Sequence, residues 1–311
     1  METQLALEKW SGTISTVSIG AKKEEGSSRS NVVKIGGQNS LPLLFKEGQI
    51  PNRPKIAFEV WDIAPCDWQE ELISAYGKAI NDPFAWADKC VNDFKAELLC
   101  IKMQGAHPDF GNKDPYQSAK FISVLLKKIR VPLVIIGCDD DAKDNLMMPL
   151  ISEAAKNERC LIGLAVQDNY KTLAASALAD GHSIIAQSPI DINIAKQLNI
   201  LISDMGLPLE RIVMDPTIGA LGYGLEYAYS IMERARLAAL SGDKSLACPF
   251  ICFIGMETWK TKEAKLSVEQ GIILEITTAS SFIQSGADIL VMRHPKAVEK
   301  VNRFIEILYK K

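Results

Sequence analysis

The sequence predicts an α/β chain: a closed barrel of eight parallel strands alternating with helices, preceded by a β-hairpin. Three observations carry this reading. Eight short apolar runs recur from position 55 onward in a chain of 311 residues. They are rich in β-branched residues and nearly continuous rather than alternating, as strands buried on both faces read. Each is followed by a stretch long enough for a crossover helix, which parallel neighbours require. The span from the first run to the end, roughly 250 residues, is typical of a (β/α)8 TIM-type barrel. An open doubly wound sheet is the rival arrangement.

The elements follow in order. "TISTVSIG" (13–20) and "NVVKIGG" (31–37) read as two short strands around the polar, turn-forming "AKKEEGSSRS", a hairpin with a long tip. "QNSLPLLFKEGQIPNRP" then runs irregularly, so residues 1–54 form a hairpin and lead-in and residues 55–311 the barrel. The barrel strands are expected at "KIAFEVWD" (55–62), "ELLCIKMQ" (97–104), "PLVIIGCD" (132–139), "LIGLAVQD" (161–168), "SIIAQSP" (183–189), "RIVMDP" (211–216), "PFICFIG" (249–255) and "ADILVMRH" (287–294). Between them, helices are expected over "PFAWADKCVNDF", "PYQSAKFISVLLKKIR" and "NLMMPLISEAAK". "NYKTLAASALADG" stops at Gly181, and "DINIAKQLNILISDMG" starts at the N-cap Asp191 and stops at Gly206. "GLEYAYSIMERARLAALSG", a single long helix over "KEAKLSVEQGIILEITTASSFIQSG", and "PKAVEKVNRFIEILYKK" with Pro295 in its first turn complete the set. The hairpin is expected outside the barrel, closing its bottom.

Composition removes several function classes. The formal net charge is -3 and no basic block appears, which argues against nucleic acid as a partner. No apolar run approaches the ~20 residues that cross a bilayer, so no membrane association is expected. The start, "METQLALEKW", carries acids and lacks a signal-peptide core, which points to a cytoplasmic address. Seven cysteines occur at wide spacings with no C-x-x-C; Cys248 and Cys252 are the closest pair. They read as core thiols in a reducing compartment rather than as cluster ligands.

In such a barrel the chemistry sits at the C-terminal strand ends. These ends carry Asp62, Gln104, Asp139, Gln167 with Asp168, Gln187 with Ser188, Asp215, Gly255, and Arg293 with His294. Amides donate and accept hydrogen bonds without titrating, so this mouth holds something better than it moves protons. Strand-end aspartates also cap loops and helices, and "DDDAKDN" (139–145), though it has the look of an acidic metal site, reads more readily as a solvated loop entering a helix. The three histidines, His107, His182 and His294, lie on different elements; His182 is read as structural, the other two as mouth residues. Lys260, Lys262 and the helix start at "RHPKAV" leave a phosphate site open, but no P-loop and no G-x-S-x-G occurs. No residue is singled out as catalytic or as a metal ligand.

"DPTIGALGYGLE" (215–226) places Gly219, Gly222 and Gly224 after the sixth barrel strand with no cation among them. Leu221, Tyr223 and Leu225 lie between, and Tyr227 and Tyr229 follow. Two readings stand: a plain connector with helix-packing aromatics, or a bare-backbone surface approaching a broad flat cofactor or another protein.

"DPTIGALGYGLEYAYSIMERARLAAL", with "VVKIGG", "FEVWDIAP" and "ADILVMRHP", resembles the small subunit of the corrinoid iron–sulfur protein of the reductive acetyl-CoA pathway and the related delta subunit of acetyl-CoA decarbonylase/synthase. The resemblance runs from about Val17 to the end. It implies a (β/α)8 barrel paired, as a heterodimer, with a large subunit that carries a [4Fe–4S] cluster and a cobamide-binding domain. The cobamide would lie between that domain and this barrel's mouth. It would accept methyl from methyltetrahydrofolate through a separate methyltransferase and donate it to acetyl-CoA synthase/CO dehydrogenase. The residues expected at the cofactor are Gln104, Gln167, Thr217, Gly219, Gly222, Tyr223, Gly224 and Arg293. No D-x-H-x-x-G motif is present, so none is offered as an axial ligand to cobalt. A free-standing pterin-dependent methyltransferase, with Asp62, Asp139 and Asp215 on the pterin, and a purely structural scaffold are the alternatives.

Overall fold

A computed structural model describes residues 6–310; the first residues of the acidic start, on which the expected address partly rests, lie outside that range. β1 (Thr16–Ile19) and β2 (Val33–Gly36) pair antiparallel as a separate two-stranded sheet. The barrel strands are β3 (Lys55–Trp61), β4 (Leu99–Lys102), β5 (Leu133–Ile136), β6 (Leu161–Ala165), β7 (Ser183–Gln187), β8 (Ile212–Asp215), β9 (Phe250–Cys252) and β10 (Ala287–Met292). They close in the order β10-β3-β4-β5-β6-β7-β8-β9 with parallel pairing throughout. Each strand lies within its expected apolar run.

Alternation along these strands builds two cores. Ile56, Phe58, Val60, Leu99, Ile101, Leu133 and Ile135 point outward into the layer shared with the helices. Ala57, Leu98, Cys100, Val134, Leu161, Ile185, Val213, Ile251 and Ile289 point inward and fill the barrel. Val17, Ile19, Val33 and Ile35 of the hairpin join that inward cluster, so the hairpin seals the N-terminal end. Arg29, at its tip, has a fully buried side chain paired with Glu158 at 2.9 Å and donates to the carbonyls of Leu126, Ile129 and Val131.

The helices start where capping predicts. Asp82, Asp114 and Asp191 accept backbone N–H groups of the first turns, and Gly181 terminates its helix in the left-handed conformation. Three expectations need correction. The helix expected from Asn145 spans Asp141–Ala154: Asp140 caps it and Asp144 folds inward to accept the Cys138 N–H at 2.8 Å, so the acidic run is a helical first turn. The long helix expected over 262–286 is two helices, Lys262–Leu266 and Val268–Ser285. Ser267 between them is extended at φ -158° and caps the second with its hydroxyl. Cys66 is exposed, while the other six cysteines are buried as expected. His182 is fully buried, with one ring nitrogen on the Ser152 carbonyl and the other accepting the Cys160 N–H, a structural role. Among the described residues no helix is long and apolar enough to cross a membrane.

Candidate functional site at the barrel mouth

The inward rows change character near the top. Two residues beyond Ala57 stands Glu59, beyond Cys100 Lys102, beyond Ile185 Gln187, beyond Val213 Asp215, and beyond Val291 Arg293. Period-two alternation therefore aims one polar layer into the upper barrel. Glu59, Lys102, Asp215 and Arg293 are all buried there.

On the arc of β9, β10, β3, β4 and β5 this layer is ionic and walled by aromatics. Arg293 Nε and Nη2 donate to the two oxygens of Glu59 at 2.9 and 2.8 Å, and Trp61 Nε1 donates to the same carboxylate at 2.6 Å. Burial raises the Glu59 carboxyl, but Arg293 and Lys102 outweigh it and hold the group below its usual range. The guanidinium lies 4.5 Å from the Trp68 ring centroid. Lys102 Nζ reaches Asp139 Oδ2 at 2.6 Å, and Lys113 Nζ reaches Asp62 Oδ2 at 2.8 Å. Of these side chains, Arg293, Trp61, Trp68, Lys102 and Asp139 border a cleft of about 350 Å³, which Gln104, His107 and Trp259 also line. A larger hollow, of about 620 Å³, lies on the outer helical shell around Phe94 and Asn302.

Behind the cleft stands Glu275, fully buried on the helix Val268–Ser285. It accepts from the Arg293 N–H at 2.6 Å, the Trp259 indole at 3.0 Å and the His294 N–H at 3.2 Å. Burial dominates and pushes its carboxyl up to about 7. His294 is pushed by burial down to about 4 and is neutral; its Nδ1 accepts the Lys296 N–H and its ring stacks on Trp259 at 5.9 Å.

The arc of β6, β7 and β8 is different. Asp215 accepts from Gln187 Nε2 at 2.8 Å and from the Thr217 N–H at 2.9 Å, and burial lifts it to about 6. Thr217 donates through Oγ1 to the Ser188 carbonyl, while the Ser188 hydroxyl itself is buried without a partner. Gln167 is exposed, as are Leu221 and Tyr223; the Tyr223 hydroxyl bonds to Glu263. The loop's glycines do separate jobs. Gly222 and Gly224 sit at φ +83° and +101°, where a side chain is strained. A Cβ on Gly222 would meet nothing within 4 Å, whereas one on Gly219 would lie 2.7 Å from the Tyr223 carbonyl oxygen.

The eight residues expected at a cofactor thus divide. Gln104 and Arg293 line the ionic cleft; Gln167, Thr217, Gly219, Gly222, Tyr223 and Gly224 belong to the other arc. Arg293 is already committed to Glu59 through two of its nitrogens. Sequence reasoning missed Glu59, Lys102, Trp61 and Glu275. The signal was present for the first two, a charge at an inward register position inside an otherwise apolar strand. Among the described residues no group of three or more His, Cys, Asp or Glu is placed to hold a metal ion.

The closed parallel barrel with a polar layer at its C-terminal end defines a TIM-barrel protein of the shape seen in dihydropteroate synthases. The enzyme from Xanthomonas albilineans with 4-aminobenzoic acid superposes with a TM-score of 0.59, covering 88% of this chain and 100% of that one at 14% identity. The Coxiella burnetii enzyme in complex with pteroic acid gives 0.54, covering 86% and 97% at 14% identity. At such identity the likeness is one of fold. Sequence similarity is more particular. Residues 16–305 match the family described as CO dehydrogenase/acetyl-CoA synthase delta subunit, and the chain belongs to that family. The acetyl-CoA decarbonylase/synthase complex subunit delta of Methanocaldococcus jannaschii is 34% identical over 305 residues, 94% of this chain and 73% of that protein. That of Methanothermobacter thermautotrophicus is 35% identical over 300 residues, 94% and 75%.

Proposed function

We propose that the chain is the small subunit of a heterodimeric corrinoid iron–sulfur methyl carrier, and that its barrel mouth covers a cobamide presented by the large subunit. The observation that carries this is a rim of exposed apolar side chains around a polar mouth. Tyr116, Ile190, Leu221, Tyr223 and Tyr227 stand on the loops and first helical turns that follow the barrel strands, and Leu266 ends the short helix Lys262–Leu266 in the connection after β9. Such a rim suits burial against a partner. Beneath it, the β6–β8 arc suits a broad, amide-fringed macrocycle. Gln167, Thr217 and the unpartnered Ser188 hydroxyl offer hydrogen bonds, and the space over Gly222 is open. The cobalt of the bound cobamide would supply the methyl acceptance from methyltetrahydrofolate and the donation to acetyl-CoA synthase. This chain's residues then orient the macrocycle and exclude water. The [4Fe–4S] cluster belongs, in this reading, to the large subunit.

A second reading, a pterin-dependent methyltransferase, is favoured by one observation: Asp215 is buried at the mouth and, among the described residues, no cation pairs with it. Asp62 and Asp139, by contrast, are already engaged by Lys113 and Lys102. Purifying the chain alone and with the co-expressed large subunit separates the readings. Cobamide absorbance confined to the complex supports the first. Methyl transfer from methyltetrahydrofolate by the isolated chain supports the second. Cobamide in neither preparation leaves a structural scaffold.

A further inference from the structure

Arg293 is held at nearly every polar point. Its N–H donates to Glu275, its carbonyl accepts from the Tyr76 hydroxyl, and its Nε and Nη2 are spent on Glu59. Nη1 makes no hydrogen bond to the described residues, and it is not among the buried atoms left without a partner. It therefore keeps access to solvent, on the cleft that Arg293 lines. What holds the main chain in place is a residue outside the barrel. Glu275 reaches donors on two separate strand-end segments: Trp259 after β9, and Arg293 with His294 after β10. One turn earlier on the same helix, a Cβ on Gly271 would lie 2.5 Å from the Trp259 ring, so this helix face is fitted to that side chain.

We infer that Glu275 is a positioning residue: it latches the two segments together and so fixes the free guanidinium edge of Arg293 that the cleft presents to an oxygen acceptor of the mouth ligand. A carboxylate suits three converging N–H donors because both of its oxygens accept. Glutamine keeps the volume but turns one of those oxygens into a donor. In Glu275→Gln one side of the latch then faces donor against donor and opens. The ligand-facing part of the inference rests on the reading of the mouth under the proposed function; the latch does not.

The test is hydrogen exchange by NMR on the 15N-labelled full chain at pH 8, where the Glu275 carboxyl is ionised, with Trp259→Phe assigning the indole signal. In the unmodified protein the Trp259 indole and the Arg293 and His294 amides should exchange at one common rate once each is divided by its own intrinsic rate, as parts of one opening unit. In Glu275→Gln the Trp259 indole should exchange at least about tenfold faster, the loss of roughly one net hydrogen bond to a charged acceptor, while the amides of β5 keep their rates. Unrelated rates in the unmodified protein, or no acceleration in the variant, overturn the latch; the first arm needs no variant to fold. In the complex with the large subunit, Glu275→Gln and Arg293→Gln should lower cobamide content together, at unchanged far-ultraviolet circular dichroism. Full cobamide content in both variants overturns the ligand-facing role of Arg293. A complex of the unmodified chain that itself holds no cobamide sinks the proposed function instead, and leaves the exchange result to decide the latch.

Discussion

Gly222 stands at φ +83° with open space where a Cβ would project, so its backbone angle, not crowding by this chain, calls for glycine. Gly222→Ala should cost about 1 kcal/mol and lower the melting temperature by a few degrees at most. If the loop faces the cobamide, Gly222→Val should also reduce cobamide retention in the complex; absorbance equal to that of the unmodified complex would show that the loop is only a connector. Gly271 is the opposite case, since the Trp259 ring fills the space its side chain would need. Gly271→Ala should destabilise by roughly 1–3 kcal/mol, as overpacking does, with a red shift of tryptophan emission as Trp259 is displaced. Titration gives a third handle. Burial raises Glu275 to about 7 and Asp144 and Asp215 to about 6, against ordinary values of 4.5, 3.8 and 3.8. Each therefore binds its proton more tightly folded than unfolded. The stability they contribute is complete below about pH 4 and is lost as pH rises through 6 and 7. Urea midpoints should fall between pH 5.5 and 8, and Glu275→Gln should flatten part of that slope. An unchanged slope in the variant would place the titration elsewhere.

At the scale of elements, the hairpin is the part of the fold with a testable job. Arg29 joins its tip to Glu158 and to three carbonyls beneath the barrel, with no exposed side-chain surface. Arg29→Met would leave those carbonyls without their donor and the part-buried Glu158 carboxylate without its counter-ion, held only by Ser27 and Ser28. A loss of about 3–5 kcal/mol is expected, read as a lower urea midpoint; a loss under about 1 kcal/mol would mean the contact behaves as a surface pair. The strands were legible because inward and outward faces are both buried, which writes an unbroken apolar run into the sequence. The break at Ser267 was not. Serine is tolerated inside helices and favoured at caps, and only the packing of the Lys262–Leu266 helix decides which role it takes. The short helices Glu70–Ser74 and Ile254–Thr258 are too brief to leave a periodic pattern.

For the whole molecule, the apolar rim around the mouth predicts a lasting partner. Sedimentation of the chain with the large subunit at sub-micromolar concentration should show one heterodimer, with an interface above the ~1,600 Å² of a standard complex. Two separately sedimenting species would contradict the proposed assembly. Ionic strength should matter little to it, because the rim residues named are uncharged. Family membership came from the sequence alone, since residues 16–305 carry it. So did the eight strands, their order along the chain and the caps at Asp191 and Gly181, because burial on both faces and first-turn hydrogen bonding are local demands that leave local patterns. The tertiary structure decided what stands together at the mouth. Glu59 and Arg293 are far apart in the chain, and Glu275 enters from a helix outside the barrel; their hydrogen bonds exist only once β10 closes against β3. Barrel closure is a long-range event. It turned scattered strand-end residues into two unlike arcs, one ionic and aromatic, the other amide-lined and open, a division that no window of sequence contains.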